Sequence, residues 1–324
     1  MMQSAPLYQL QWQQLQHPVL SSLATEVWLA SINSSIVAFT GNKCLKLKYH
    51  IRTIEQGQKR GILSFGGAFS NHLAALAAAG KQFGFATVGL VRTHNPIPDN
   101  PTLNFCRAQG MQLIALDRQQ YRRRNDADFL HELAERYPSY VIVPEGGSDE
   151  TGIAGAASLC LQHTPAGPAQ QLVCATGSGG TLAGLCKNFY GSVTGVDVVG
   201  DPTLPARLQH WLAGYSHWQL KRSTDHCRYG DFEPQTLEHC QQLLSQGVLL
   251  EPIYTGKAWR SLLDWLQQGV LPAGQRYVLL HSGGLQGLAG LAQRQKISAE
   301  FWRLCQPLLV NSAGLTLLVA PTAD

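Results

Sequence analysis

Ten residues early in the chain, Phe39-Thr40-Gly41-Asn42-Lys43-Cys44-Leu45-Lys46-Leu47-Lys48, set three lysines within six positions, beside a glycine and an asparagine. A lysine acts as a nucleophile only when its ammonium can lose a proton, because the neutral amine is the form that condenses with a carbonyl to give a Schiff base. Taken alone, such a stretch reads as a solvated helix start or turn. Four other stretches give it company: Gly66 to Asn71, Gly177 to Thr181, Tyr254 to Lys257, and His281 to Gly284.

The elements around these stretches follow an α/β pattern. Apolar or β-branched runs at Gly61 to Phe65, Ala86 to Arg92, Gln112 to Leu116, Tyr140 to Val143, Leu172 to Ala175, Gly195 to Val199 and Tyr277 to His281 read as strands. Helix-period segments lie between them at Asn71 to Phe83, Thr102 to Gln109, Ala127 to Tyr137, Thr181 to Tyr190 and Thr255 to Gln268. Strands joined by crossover helices make a doubly wound α/β architecture, which binds ligands at the carboxyl ends of its strands. Three of those ends carry glycine-rich turns. In the first, Ser64 to Asn71, either Ser70 or Asn71 is a natural helix N-cap. In the second, Thr176 to Thr181, free backbone N–H groups and hydroxyls make a phosphate cradle. The third is His281-Ser282-Gly283-Gly284.

The second turn admits two phosphate ligands. A nicotinamide site would use an acid about twenty residues on, here Asp197, but Gly177 to Gly184 does not keep the G-x-G-x-x-G spacing. A monophosphate cofactor that meets a lysine is the other. Pyridoxal phosphate needs a phosphate cup, a Schiff-base amine, a group on its ring nitrogen and a proton carrier beside the substrate α-carbon. The chain offers candidates for all four.

Composition sets the frame. The chain has 324 residues, 44% of them apolar and 14% charged, with a net charge of +4. That is a compact globule, long enough for one large α/β domain or, the favoured reading, two lobes that share a cleft. The charge is too small for a nucleic-acid footprint, and Arg122-Arg123-Arg124 reads as a solvated helix edge. Eight cysteines stand singly, with no C-x-x-C and no histidines at zinc spacing, so reduced thiols in a cytoplasmic protein without a bound metal are expected. The start lacks a secretory pattern, and no apolar run is long enough to span a membrane. Asn95 to Pro101 reads as a surface loop and Pro165 to Pro168 as a connector between lobes. The segment Ile297 to Asp324, with its apolar piece Leu315 to Val319, reads as docking on the body or on a partner subunit.

Gly41-Asn42-Lys43, Gly66-Gly67-Ala68-Phe69-Ser70-Asn71-His72, Val143-Pro144-Glu145-Gly146-Gly147-Ser148, Gly177 to Thr181, Glu251-Pro252-Ile253-Tyr254-Thr255-Gly256-Lys257 and His281-Ser282-Gly283-Gly284 occur in a telling order. Together they resemble the pyridoxal-phosphate-dependent family of 1-aminocyclopropane-1-carboxylate deaminase and D-cysteine desulfhydrase, over roughly residues 15 to 292. The resemblance implies the tryptophan-synthase-β-like fold, fold type II among these enzymes. A small lobe, 51–155, would be inserted in a large one, 1–50 and 156–324, with the cofactor in the cleft between them.

The same resemblance implies residue roles. Lys43 would carry the cofactor as a Schiff base, and Asn71 would hydrogen-bond its 3-oxygen. Thr176, Gly177, Ser178, Gly179, Gly180 and Thr181 would hold the phosphate, and Thr255 would meet the ring nitrogen. Ser70 would sit against the substrate carboxylate and α-carbon as proton carrier or nucleophile. Tyr254 would face the substrate, with Tyr229 as the second active-site tyrosine. Lys46 and Lys48 would revert to a helix surface.

Where the deaminases carry a carboxylate, this chain has Thr255, and a hydroxyl cannot keep the ring nitrogen charged. Threonine there matches relatives resembling D-cysteine desulfhydrase. The expectation is α,β-elimination from a small amino acid, releasing a 2-oxo acid and ammonia, by a cytoplasmic homodimer; deaminase-like chemistry on 1-aminocyclopropane-1-carboxylate is its variant. The chain departs from the family pattern in three places. Trp28 to Ser34 replaces a Lys-Arg-x-Asp phrase, Leu45 an arginine, and Ser282 a threonine. The missing Lys-Arg-x-Asp phrase motivates a second reading, a cofactor-holding protein with little catalysis. Asp197 motivates a third, an NAD-dependent oxidoreductase.

Overall fold

The structure, a computed structural model, describes residues 8–309. Its strands, in chain order, are β1 (Gln9–Leu15), β2 (Glu26–Asn33), β3 (Gly61–Gly67), β4 (Ala86–Arg92), β5 (Gln112–Leu116), β6 (Tyr140–Val143), β7 (His163–Thr164), β8 (Gly167–Pro168), β9 (Gln171–Thr176), β10 (Ser192–Asp197), β11 (Trp218–Arg222) and β12 (Arg276–His281). The chain divides into two compact units. Ser34–Gly152 and residues 284–309 form one; Tyr8–Asn33 and Ile153–Gly283 form the other.

The first unit holds a four-stranded parallel sheet in the order β5-β4-β3-β6. Side chains alternate across a strand. In β3 this sends Leu63 and Phe65 into a cluster with Val88, Leu90, Leu116, Tyr121 and Leu133. Ser64 points the other way and meets His72 of the helix Asn71–Phe83. That helix carries alanine at five of its nine buried positions, and at Gly80 it approaches β4 so closely that a Cβ would lie 2.5 Å from the Thr87 methyl.

The second unit holds a six-stranded sheet in the order β1-β2-β12-β9-β10-β11, parallel except for the β1–β2 pair. Strands β9 and β12 occupy its middle and are buried almost throughout, which is why both read from sequence as unbroken apolar runs.

The expected strands at Ala86 to Arg92, Gln112 to Leu116 and Tyr140 to Val143 form residue for residue, while β10 begins and ends earlier than Gly195 to Val199. β1, β2 and β11 carried no expectation. The two edge strands, β1 and β11, are only partly buried and so lack an apolar run. Pro165 to Pro168 is no connector between units: it lies in the β7–β8 hairpin, and the chain passes from one unit to the other at Gly152–Ile153. Residues 284–309 cluster with Ser34–Gly152, not with 156–283. The helix Gly287–Gln293 explains this grouping, because Gly290 and Arg294 pack on the ring of Phe69. Leu315 to Val319 lies outside the described residues.

Candidate active site

In the first unit, Gly41 caps the helix Asn42–Glu55 at φ 64° and ψ −151°, a backbone state that side-chain-bearing residues avoid. The cap aims the chain into the helix so that Lys43 is its second residue. Lys43 keeps some solvent contact, yet the protein packed around it desolvates the amine and brings its pKa down to about 8. The positive end of the helix dipole acts in the same direction.

One helical turn on, Lys46 corrects an expectation. It does not lie on the helix surface: it is 1% exposed, and its ammonium nitrogen donates to the Ser148 hydroxyl at 2.6 Å. Desolvation, with Lys43 adding to it, holds Lys46 well below the ordinary lysine range. Beside it, His50 pairs with Asp149 at 3.1 Å, and the Asp149 carboxylate also accepts from Gly152 N. The Ser64 hydroxyl donates to Val143 O at 2.7 Å, so it accepts from His72 Nε2 at 2.8 Å. His72 is thereby assigned as the neutral Nε2–H tautomer. Burial and then Lys43 and Lys46 keep it uncharged, and its buried Nδ1 has no partner.

The turn after β3 delivers Ser70 as the N-cap of the helix Asn71–Phe83, where its oxygen accepts from Leu73 N at 3.2 Å. Gly66 makes this possible, since a Cβ there would lie 2.5 Å from Ser70 Oγ. The next residue, Asn71, has a buried amide oxygen with no partner. Its amide lies against Gly284, where φ is +88° and a Cβ would come within 2.5 Å of Nδ2.

In the second unit, β9 ends at Thr176. The Thr176 hydroxyl donates to Cys174 O, and its carbonyl accepts from Val198 N. Both polar groups outside the strand ladder are thus used within the sheet. The turn itself, Gly177 to Thr181, leads into the helix Gly180–Cys186 through Gly179 at φ +90°. That left-handed φ disfavours any side chain at Gly179, where a Cβ would also lie 2.8 Å from Leu204 Cδ1. Gly177 faces the ring of Tyr254, which a Cβ would approach to 3.3 Å.

Tyr254 precedes the helix Thr255–Gln267, and its hydroxyl donates to that of Tyr229 at 2.9 Å, the rings set edge to face. Thr255, the first helical residue, is fully buried, and its hydroxyl makes no hydrogen bond of good geometry, although it lies near enough to Glu251 to act on that carboxylate. Glu251 was not foreseen. Its carboxylate accepts from the backbone N–H groups of Ile253, Tyr254 and Thr255 at 2.7–2.8 Å, and so caps the helix from four residues upstream. Burial raises its carboxyl to about 7 against those bonds. An acid just ahead of a helix start was the available signal. At the end of β12, His281 donates from Nε2 to Leu249 O and accepts at Nδ1 from Gly283 N, so it holds the turn together.

Asp197 is engaged within the protein. One oxygen accepts from Val199 N and Gly200 N, and the other is paired with Arg222 at 3.0 Å. This removes the residue on which the NAD reading rested.

The expected site residues thus fall in two groups, one in each unit: Lys43, Ser70 and Asn71 in the first, and Thr176 to Thr181, Tyr229, Tyr254 and Thr255 in the second. Within the second, the structure joins Tyr229 to Tyr254 and sets Tyr254 against Gly177, contacts between residues distant in sequence.

Comparison with known proteins gives the family and the fold. D-cysteine desulfhydrase of Klebsiella pneumoniae is 28% identical over 295 residues, covering 82% of this chain and 89% of its own. 1-Aminocyclopropane-1-carboxylate deaminase of Mesorhizobium japonicum is 25% identical over 291 residues, covering 79% and 86%. Among solved structures, an ACC deaminase homologue superposes with a TM-score of 0.71 over 88% of this chain and 92% of its own, at 20% identity, which speaks for the fold. That fold is the tryptophan-synthase-β-like one of type II enzymes. The family model described as "Pyridoxal-phosphate dependent enzyme" matches residues 34–283, from the strand end before Gly41 to the glycine after Ser282. The chain belongs to the family of pyridoxal-phosphate dependent enzymes.

Proposed function

We propose that this enzyme is a lyase that eliminates the β-substituent of a small amino acid and releases a 2-oxo acid with ammonia, with D-cysteine, named in several relatives, as the first candidate substrate. The observation that carries the reading is Thr255, a buried hydroxyl without a well-formed protein hydrogen bond at the head of its helix, where the deaminase pattern has a carboxylate. The residues fit pyridoxal phosphate. Folding has dried an amide oxygen at Asn71 and a hydroxyl at Thr255 without giving either a good partner, and such groups call for a polar ligand. The glycine turn at Gly177 to Thr181 presents backbone amides that no side chain at Gly179 can cover.

Bound pyridoxal phosphate supplies an aldehyde that captures amines and a ring that accepts the electron pair left when the α-proton departs. In this reading Lys43 is the amine that anchors it, Gly177, Ser178, Gly179, Gly180 and Thr181 hold the phosphate, Asn71 meets the 3-oxygen and Thr255 the ring nitrogen. Thr176 shapes the turn, since its own polar groups are used in the sheet. Lys43, with a pKa of about 8, has a usable neutral fraction near neutral pH and can take the proton from the substrate α-carbon. Ser70 binds the substrate carboxylate. The linked phenols of Tyr254 and Tyr229 pass a proton to the departing β-substituent. The family resemblance supports a homodimer and the singly placed cysteines a cytoplasmic setting; no described helix is long and apolar enough to cross a membrane.

Borohydride reduction of the loaded protein, followed by peptide mass spectrometry, tests the anchor. The cofactor should be found on Lys43, Lys43→Ala should lose the visible absorbance, and Lys46→Ala should keep it. Release of 2-oxo acid should then be measured from D-cysteine, L-cysteine, D-serine and 1-aminocyclopropane-1-carboxylate. Turnover of none of them by fully loaded protein would favour the cofactor-holding reading.

A further inference from the structure

The hydroxyl pair Tyr254–Tyr229 poses a mechanical question. Tyr254 is fixed by its place ahead of a helix and by Glu251, but Tyr229 sits in the loop between β11 and the helix Pro234–Leu244 and is 46% exposed. Its own burial does not hold it in place. Something else must keep its hydroxyl within 2.9 Å of Tyr254.

We propose that the buried ion pair Asp225–Lys257 is a positioning device that clamps the Tyr229 loop to the helix carrying Tyr254, so that the two phenols handle protons as a unit. The inference rests on the proposed function, in which those phenols serve the leaving group.

The geometry is that of a clasp. Lys257 lies in the first turn of the helix Thr255–Gln267, and its ammonium reaches Asp225 Oδ1 and the carbonyl oxygen of Cys227, each at 3.1 Å. Asp225 in turn gathers the loop's two ends, accepting from Cys227 N at 3.0 Å and Glu233 N at 2.8 Å, and it takes a further bond from the Thr236 hydroxyl at 2.6 Å. One turn further along the same helix face, Arg260 holds the Glu233 carboxylate at 2.7 Å, and that carboxylate accepts from His226 N. Residues on both sides of Tyr229 are thus tied to the helix that Tyr254 precedes.

Both charges of the central pair are essentially out of water, at 1% and 0% exposure. An ion pair this dry adds little net stability, because desolvation offsets the attraction, and apolar replacements are often as stable. Its use here is placement. Burial would raise the Asp225 carboxyl, but the Thr236 hydroxyl, the Glu233 amide and Lys257 together hold it below the usual range. Asp225, Cys227 and Glu233 also lie as close together as metal ligands do. The Lys257 ammonium stands where a cation's charge would, and Arg260 already neutralises Glu233.

The test uses loaded holoprotein and the variants Lys257→Met, Tyr229→Phe and their combination. Near-ultraviolet circular dichroism, read as the difference between the native protein and Tyr229→Phe, isolates this tyrosine among the ten. Lys257→Met should reproduce the change that Tyr229→Phe causes, with cofactor content unchanged. With a turned-over amino acid, each single variant should lower kcat by about a hundredfold, the scale of a lost general acid. The combination should cost no more than either alone. A merely structural role for Lys257 would leave turnover per bound cofactor unchanged. Native dichroism in Lys257→Met, or losses that multiply in the combination, would overturn the proposal. If no amino acid is turned over, the function reading fails and the dichroism alone decides this one. If Lys257→Met does not fold, Asp225→Asn, which removes the charge and keeps one of the two acceptor oxygens, takes the same measurements with the same outcomes.

Discussion

At the scale of single residues, the chemistry turns on what burial does to amines. Lys43 and Lys46 sit one helical turn apart, and both are desolvated, but with different consequences. Lys46 is sealed and given a hydroxyl partner in Ser148, which makes it a structural group. Lys43 keeps partial access to solvent, so its amine is both depressed and reachable. Cofactor uptake by stripped protein requires the neutral amine, and its rate should rise about tenfold per pH unit below the amine's pKa and level off above about 8. Stopped-flow absorbance across the pH range checks this; a rate still climbing near pH 10, as for an ordinary lysine, would refute the depressed amine. The three lysines stood out in the sequence, but which of them was sealed and which was reachable did not. Alternating Lys-x-Leu-Lys-Leu-Lys looks amphipathic only weakly, and the partner that buries Lys46 is a hundred residues away.

At the scale of elements, helix starts carry the site. Gly41, Ser70, Gly179 and Glu251 each begin a helix, and each places a proposed site residue at or beside the first turn. Glu251 is the unusual one, because a buried carboxyl raised to about 7 changes charge within the working range. A carboxyl raised by folding supports the fold while protonated. That contribution is complete below the unfolded value of 4.5 and is lost as pH rises through about 7. The melting temperature of the native protein should therefore fall across this interval relative to Glu251→Gln, whose amide does not titrate. Parallel melting curves against pH for the two proteins would show that Glu251 is ionised throughout. Strand-turn-helix punctuation was legible because glycines and cap residues act locally. The edge strands β1 and β11 were not, because half-solvated strands carry no apolar run.

At the scale of the whole molecule, the proposed cofactor contacts extend along the chain from Lys43 to Thr255. Pyridoxal phosphate binds folded chain only, so its addition should raise the melting temperature of stripped protein with concentration, by about 2.7 kcal/mol of stability at a hundredfold excess over Kd. Calorimetry checks this, and a melting temperature indifferent to the cofactor would refute binding by the folded state. The sequence by itself determined the class of the protein and named its candidate reactive groups: ordered glycine turns at strand ends, a lysine behind a glycine, and a threonine where the deaminase pattern has an acid. Those features act through neighbours in the chain. Only the tertiary structure decided that Lys46 is sealed, that Tyr229 meets Tyr254, that Asp225 clasps Lys257, that Asp197 is occupied by Arg222, and that the residues after Gly283 pack with Asn71 and Phe69. Each of these joins residues far apart in sequence, and such contacts follow from strand order and burial, which no local spacing encodes.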